Sequence, residues 1–302
     1  MSKPKIVQVG LGPLGEMITD ELARRGLGEV VAVVDPARTD IPTHTLEGID
    51  FWDDVDCVIV ATRSSLAECA PTFRALLSRG QTVVSTCEEL SYPWLRHADL
   101  AGDLHTTAER HGGRLLGTGV NPGFLMDTFP LLASKVTRDI EKVSVYRIQD
   151  ATTRRIPFQQ KIGAGLTPAE FEAKAQTGSL RHVGLGESLH FLGDYLGFRF
   201  AHWHETLGPV LGHDGLATGV RQVAEGQDDQ GNVLVELVFQ AAIGQEDPHD
   251  RVVIAGDPPV DLVWRGGVHG DLATVNVVLN SMEPLMAGPP GLHTMATIPL
   301  AG

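Results

Sequence analysis

"KIVQVGLGPLGE", residues 5–16, decides the fold. A β-branched run from Ile6 to Val9 reads as a buried strand, and it passes straight into Gly10, Gly12 and Gly15, a GxGxxG pattern. Glu16 to Arg25 follows with Met17, Ile18, Leu22 and Ala23 on one side of an expected helix. In such a strand–turn–helix unit the first glycine permits the tight turn, the second lets a pyrophosphate approach the backbone, and the third lets helix and strand pack closely. The next strand, Val30 to Val34, ends in Asp35, twenty residues beyond Gly15, where a ribose-binding carboxylate belongs.

The expected ligand is therefore a nicotinamide dinucleotide, with Pro13 and Leu14 completing the turn; glycines that serve only a turn are the alternative. Asp35 favours a free 2′-hydroxyl, hence NAD. Arg38, three residues on, would accept a 2′-phosphate if Asp35 turned aside, or is simply a solvated loop arginine. The balance is NAD with NADP tolerated.

The alternation continues. Strands are expected at Cys57 to Ala61, Gln81 to Val84 and Arg114 to Leu116, with helices at Ala67 to Ser78 and Leu100 to His111. Ligands of such sheets sit outside the strand carboxyl ends, so Ala61, Thr62, Arg63 and Thr86 are read as lining the cofactor cleft. The texture changes after residue 125. "IEKVSVYRIQ" (140–149) alternates as a half-buried strand, and helical segments follow at Pro168 to Gln176 and Glu187 to Tyr195. Further alternating segments run near Phe198 to Thr206, Thr218 to Glu225, Val233 to Ala242, Arg251 to Ile254 and Val260 to Trp264. Asp271 to Met286 is helical in spacing, and "GPPGLHTM" (288–295) ends it. The expected fold class is α/β: a Rossmann dinucleotide-binding domain (1–125), an α+β substrate and dimerisation domain with a mostly antiparallel sheet (126–266), and a C-terminal helix and tail (267–302).

The 302 residues, 42% hydrophobic and 21% charged, suit a globular protein. With 38 acidic against 24 basic residues the net charge is −14, which argues against nucleic acid and anionic membranes and for a small-molecule substrate. No apolar run reaches 18 residues, so no membrane span is expected. The chain enters a strand too early for a signal peptide, and Cys57, Cys69 and Cys87, spaced by 12 and 18, form no CxxC pair. The expected location is the cytoplasm.

"VVSTCEELSYPW" (83–94) runs a strand into two carboxylates, Glu88 and Glu89. Homoserine and inositol dehydrogenases, of similar architecture, place a lysine shortly after the corresponding strand. A carboxylate cannot polarise an alcohol or ketone oxygen as an ammonium does, but it stabilises a positive charge and takes a proton from an ammonium or carbinolamine. That points to amine chemistry. The competing reading is that Thr86 or Ser85 caps a helix and the glutamates complement its dipole; both hold if one glutamate caps while the other faces the cleft. "GTGVNPGFLMD" (117–127) follows the last strand of the first domain, with Asn121 offering a donor and an acceptor near the nicotinamide. Phe124 and Met126, where this loop enters the substrate domain, are read as lining the substrate pocket. A plain interdomain linker is the alternative.

"STCEELSYPW", "GTGVNPGFLMD" and "GDLATVNVVLNSMEPLMAGPPGLHTM" (270–295) resemble the 2,4-diaminopentanoate dehydrogenases and the native amine dehydrogenases. Residues 150–260 add little to the likeness. The resemblance implies a dihydrodipicolinate-reductase-like fold, with the C-terminal helix returning to the first domain; separately, an exposed face of the second-domain sheet would suit a homodimer. The resemblance also implies reversible NAD(P)-dependent deamination of an amine, or amination of a ketone or aldehyde with ammonia. The catalytic residue it implies is a glutamate of "CEEL", carried onto both Glu88 and Glu89. It also puts Asn121, Arg147 and Gln149 in the substrate pocket, the last two on one face of their strand. The paired histidines and lysine of dihydrodipicolinate reductase are missing; only His182 and His190 stand in "HVGLGESLH", so a dicarboxylate is not expected.

Phe158, Phe171 and Trp203 suit either an apolar substrate pocket or an ordinary core. His202 and His204 have the HxH spacing of metal ligands but lack a third, so no metal is expected. The alternatives to an amine dehydrogenase are another oxidoreductase of this fold acting on an alcohol or amino acid, and a non-catalytic dinucleotide-binding sensor.

Overall fold

The computed structural model describes residues 3–154, 156–180 and 182–299, so the outermost residues of the expected first domain and C-terminal tail lie outside it. The chain divides into two compact units, residues 1–124 with 269–302, and Leu125–Val268.

Unit 1 is built on a parallel sheet in the order β12 (Gly291–His293), β5 (Arg114–Gly117), β4 (Thr82–Ser85), β3 (Cys57–Val60), β1 (Lys5–Val9), β2 (Glu29–Val34). Its elements run β1 (Lys5–Val9), α1 (Pro13–Arg25), β2 (Glu29–Val34), β3 (Cys57–Val60), α2 (Leu66–Leu77), β4 (Thr82–Ser85), α3 (Trp94–His111) and β5 (Arg114–Gly117). The strands are short and apolar because helices cover both faces, and side chains alternate between them. Val7, Val9, Val58, Val60, Val83 and Leu115 pack on one side with Phe73, Leu76 and Leu104. Ile6, Cys57, Ile59, Val84 and Leu116 pack on the other with Ile18 and Leu22.

Helix α1 starts where Pro13 occupies the first turn, its missing N–H costing no bond there, and stops where Gly26 turns left-handed (φ 66°). Helix α3 begins at Trp94, six residues before the helical spacing predicts. His97 (φ −137°, ψ 43°) breaks it into two pieces, so the regular pattern is visible only beyond the kink.

Unit 2 follows with α4 (Thr128–Ala133), β6 (Arg138–Asp150), α5 (Ile156–Lys161), α6 (Pro168–Gln176), α7 (Leu185–Leu196), β7 (His202–Leu211), β8 (Ala217–Gln227), β9 (Val233–Ala242), β10 (His249–Asp257) and β11 (Val260–Arg265). Its sheet runs β11-β10-β6-β9-β8-β7, antiparallel except for β6 against β9. Helix α6 starts at a capping box, Thr167 and Glu170 each accepting from the other's backbone. Strand β7 begins four residues later than the alternation predicts, because Gly197 ends α7 in the left-handed region and Phe198 is tied back to Gly193 O. Helices α4 and α5 are six residues each, too short to register as a period.

The chain then returns to unit 1 as α8 (Gly270–Ala287) and β12 (Gly291–His293). Val275, Val278, Leu279 and Met282 of α8 join the cluster of Ile18 and Leu22, and Arg25 of α1 reaches Asn276 and Asn280 (3.2 and 2.8 Å). The GPPGLHTM segment does more than stop the helix: three of its residues pair with β5 as a sixth strand. Among the described residues, no helix is long and apolar enough to cross a membrane.

Candidate active site

The glycine turn follows β1. Gly10 has φ +83°, and a Cβ there would stand 2.5 Å from Ala61 O. At Gly15 a Cβ would lie 2.3 Å from Gly10 O, so the start of α1 and the turn touch backbone to backbone. Gly12 differs: nothing lies within 4 Å of its Cβ position, and it caps the N-terminus of α1. The floor of the turn is fixed by a residue that the sequence reading passed over. Gln8 is buried in β1 and its Nε2 donates to Gly10 O (2.8 Å). A lone amide inside an otherwise apolar strand was the available signal.

Beside the turn lies a cavity of about 260 Å³. Gly12, Pro13, Leu14 and Gly15 wall one side; Ala61, Thr62, Arg63 and Ser64 follow β3, and Thr86 and Glu88 follow β4. The predicted cofactor residues of the first, third and fourth strand ends therefore come together, as ligand positions do at the carboxyl edge of a parallel sheet. Asp35 and Arg38 stand by β2. The Asp35 carboxylate accepts from Leu11 N (2.6 Å) and Ala37 N (2.9 Å). Arg38 is held by carboxylates: Nε and Nη2 donate to Asp40 (both 2.7 Å), and Nη1 donates to Glu16 (2.5 Å) and to Leu11 O (3.0 Å). These two partners push the guanidinium pKa up, and Arg38 in turn holds Asp40 down at about 2.

The two glutamates part company. Neither sits on a helix capped by Ser85 or Thr86: Glu88–Ser91 is a single 3-10 turn without a side-chain cap, and Ser85 Oγ instead donates to Val60 O and accepts from Cys87 N. Glu88 is half-buried and lines the cavity. The Glu89 carboxylate accepts from Leu66 N (2.8 Å), the first residue of α2, and meets His97 Nε2 (3.0 Å). Cys87 donates to Ser64 O (3.2 Å) and hydrogen-bonds Cys69, a contact that lowers the Cys69 pKa and raises that of Cys87.

Asn121 is buried just beyond β5, and neither atom of its amide has a hydrogen-bond partner among the described residues. An unpaired buried amide is costly, and a polar group brought against it would relieve that cost. Open space at Gly12 on a helix N-terminus suits a phosphate, and the Asn121 amide suits a carboxamide; the residues fit a nicotinamide dinucleotide.

The other pocket candidates are placed as follows. Phe124 is half-buried and Met126 fully buried. Arg147 and Gln149 do share a face: Arg147 Nη2 and Gln149 Nε2 both donate to Val268 O (3.2 and 3.3 Å). Arg147 also pairs with Asp250 at 3.1 Å. Phe158 lies under Arg154 and borders a space of about 30 Å³ with Leu180, His182 and Phe239. Trp203 meets His190 edge-on, and Phe171 is a core residue. His204 pairs with Glu225 (3.3 Å), and among the described residues no three His, Cys, Asp or Glu side chains converge as a metal ligand set.

The family model described as the 2,4-diaminopentanoate dehydrogenase C-terminal domain matches residues 124–302. Over its whole length the chain is similar to the 2,4-diaminopentanoate dehydrogenase of Acetoanaerobium sticklandii, with 25% identity, covering 99% of this chain and 94% of the other. Among solved structures it is similar to the amine dehydrogenase from Mycobacterium smegmatis, with a TM-score of 0.81, 18% identity, and 99% and 96% coverage. An engineered D-amino acid dehydrogenase bound to NADP+ matches at a TM-score of 0.55 and 15% identity, with 99% and 95% coverage. The two structural likenesses establish the fold.

Proposed function

The chain belongs to the 2,4-diaminopentanoate dehydrogenase family, and on that premise we propose that it is an NAD(P)-dependent amine dehydrogenase with Glu88 as its catalytic carboxylate. It interconverts an amine and the matching ketone or aldehyde, releasing or consuming ammonia. The observation that carries this reading is the charge at the carboxyl end of β4: Glu88 borders the cavity, whereas the lysines of unit 1 are Lys3 and Lys5, at the opposite end of β1. Arg63, which also lines the cavity, is paired with Glu68 (3.8 Å), so the Glu88 carboxylate supports stabilisation of positive charge over that of a developing alkoxide.

When bound, the dinucleotide supplies or accepts the hydride. Gly12 and the first turn of α1 take its pyrophosphate, and Asn121 its carboxamide. The Asp35 carboxylate has roughly four acceptor positions and spends two on backbone N–H groups, leaving room for the ribose diol. In the aminating direction Glu88 takes a proton from the ammonium, helps water leave the carbinolamine, and balances the charge of the iminium. In sum a carbonyl, ammonium, a proton and reduced cofactor give the alkylammonium, oxidised cofactor and water.

The caging of Arg38 by Glu16 and Asp40 supports a preference for NAD, because a 2′-phosphate must compete with two carboxylates for that guanidinium. The test is cofactor oxidation with aliphatic ketones and aldehydes, with and without ammonium. We expect ammonium-dependent turnover, faster with NADH than with NADPH. No ammonium-dependent oxidation of either cofactor sinks the amine reading, and equal affinity for both sinks the preference. A second expectation follows from the backbone contact at Gly15. Gly15→Ala forces the turn aside at about 1–3 kcal/mol, the usual cost of overpacking, and weakens NADH binding by roughly five- to a hundredfold. Fluorescence titration checks it, and an unchanged dissociation constant counts against the proposed turn.

A further inference from the structure

Glu89 lies next to the proposed catalytic carboxylate, yet its own carboxylate is used elsewhere. Its two partners come from elements on either side of the 3-10 turn. One is the backbone N–H of Leu66, the first residue of α2. Ser65, at the cap position of that helix, makes no side-chain cap bond, so a carboxylate from 23 residues downstream takes over the role. A negative group there is favoured by both the orphan N–H and the helix dipole. The other partner is the His97 ring, whose residue is the one that leaves helical geometry inside α3. The backbone adds a third tie, from Glu89 N to Ser64 O (3.2 Å).

We propose that Glu89 and His97 are positioning residues for Glu88. The turn Glu88–Ser91 is short and has no hydrophobic side of its own beyond Leu90. Its orientation therefore depends on what grips it. The Glu89 carboxylate ties the turn to α2 through Leu66 N and to α3 through His97, and the peptide joining Glu88 to Glu89 is held by the bond from Glu89 N to Ser64 O. Neither Glu89 nor His97 is among the residues that line the cavity.

This rests on Glu88 being the catalytic carboxylate, and the experiment separates the two ideas. Glu89→Ala, Glu89→Gln, His97→Phe and His97→Gln are compared with the parent and with Glu88→Gln for kcat, KM and NADH affinity. Displacing a catalytic group by about 1 Å costs on the order of a hundredfold, so we expect Glu89→Ala and His97→Phe to lower kcat by roughly ten- to a hundredfold. NADH affinity should stay within about threefold of the parent. Glutamine at 89 still accepts from Leu66 N, and glutamine at 97 still offers an N–H donor, so both should recover most of kcat. A merely structural role would lower thermal stability without this split between kcat and binding or this rescue. If Glu89→Ala and His97→Phe keep kcat within about twofold while Glu88→Gln is inactive, positioning is overturned and Glu88 stands. If Glu88→Gln turns over and both Glu89 variants are dead, the reading of Glu88 itself has failed. Should Glu89→Ala not fold, the pair His97→Phe and His97→Gln carries the comparison.

Discussion

Glu88→Gln should lower kcat for ammonium-dependent carbonyl reduction by about 10²–10⁴-fold, the usual worth of a positioned general acid–base. The substitution keeps the size of the side chain and most of its hydrogen-bonding capacity. It removes the proton acceptor and the negative charge, which are the two properties the chemistry requires. Cofactor affinity should change little, because the groups assigned to the dinucleotide are backbone and side chains of the glycine turn, Asp35 and Asn121, none of which the substitution alters. The measurement is steady-state kinetics with saturating ammonium, paired with NADH titration. A kcat within tenfold of the parent removes Glu88 from the reaction, whatever happens to KM.

Asp250→Ala is expected to cost about 3–5 kcal/mol of unfolding free energy, the typical loss when one partner of a buried ion pair is deleted. The pair is deep: the Arg147 and Asp250 side chains are 3% and 8% exposed. Burial drives both toward neutrality, lowering the Arg147 pKa and raising that of Asp250, with each ion opposing the effect on the other. Alanine at 250 leaves the guanidinium, among the described residues, with the Val268 carbonyl and strips Val268 N of its acceptor, Asp250 Oδ2 at 2.7 Å. Replacing both ions at once, as Arg147→Met with Asp250→Leu, removes the uncompensated charge and should cost much less than the single change. Urea denaturation of the single and double variants checks this. A loss under about 1 kcal/mol for Asp250→Ala means that the pair is as weak as a surface one.

The architecture was legible because buried parallel strands and amphipathic helices leave repeating patterns. β9 and α6 match the expected bounds residue for residue. What escaped was short or long-range. A three-residue strand such as β12 carries no period, and prolines beside it argue for a loop. Alternation put Arg147 and Gln149 on one face of β6 but could not name Asp250, 103 residues away, as the partner. At the candidate site, the glycine motif and the acidic pair were readable as residue types. That one glutamate caps while the other faces the cleft was among the readings, but which does which was not legible, because it is decided by Leu66 N and the ring of His97, which no local spacing encodes.

The sheet of unit 1 also carries a consequence for biosynthesis. Its edge strand β12 pairs with β5, and Arg114 at the start of β5 donates to Gly288 O across 174 residues. All of unit 2 lies between them in the chain. A ribosome that has released β1 to β5 must still synthesise every strand of unit 2 before α8 and β12 can cover the apolar face and the open edge. Domains tend to fold in the order in which they emerge, at about 5–20 residues per second. Here the second unit can be complete while the first is still waiting, with Val84 and Leu116 lacking their α8 partners for roughly 10–35 seconds at that rate. The nascent chain is thus most exposed to aggregation and to chaperones in the unit that was made first.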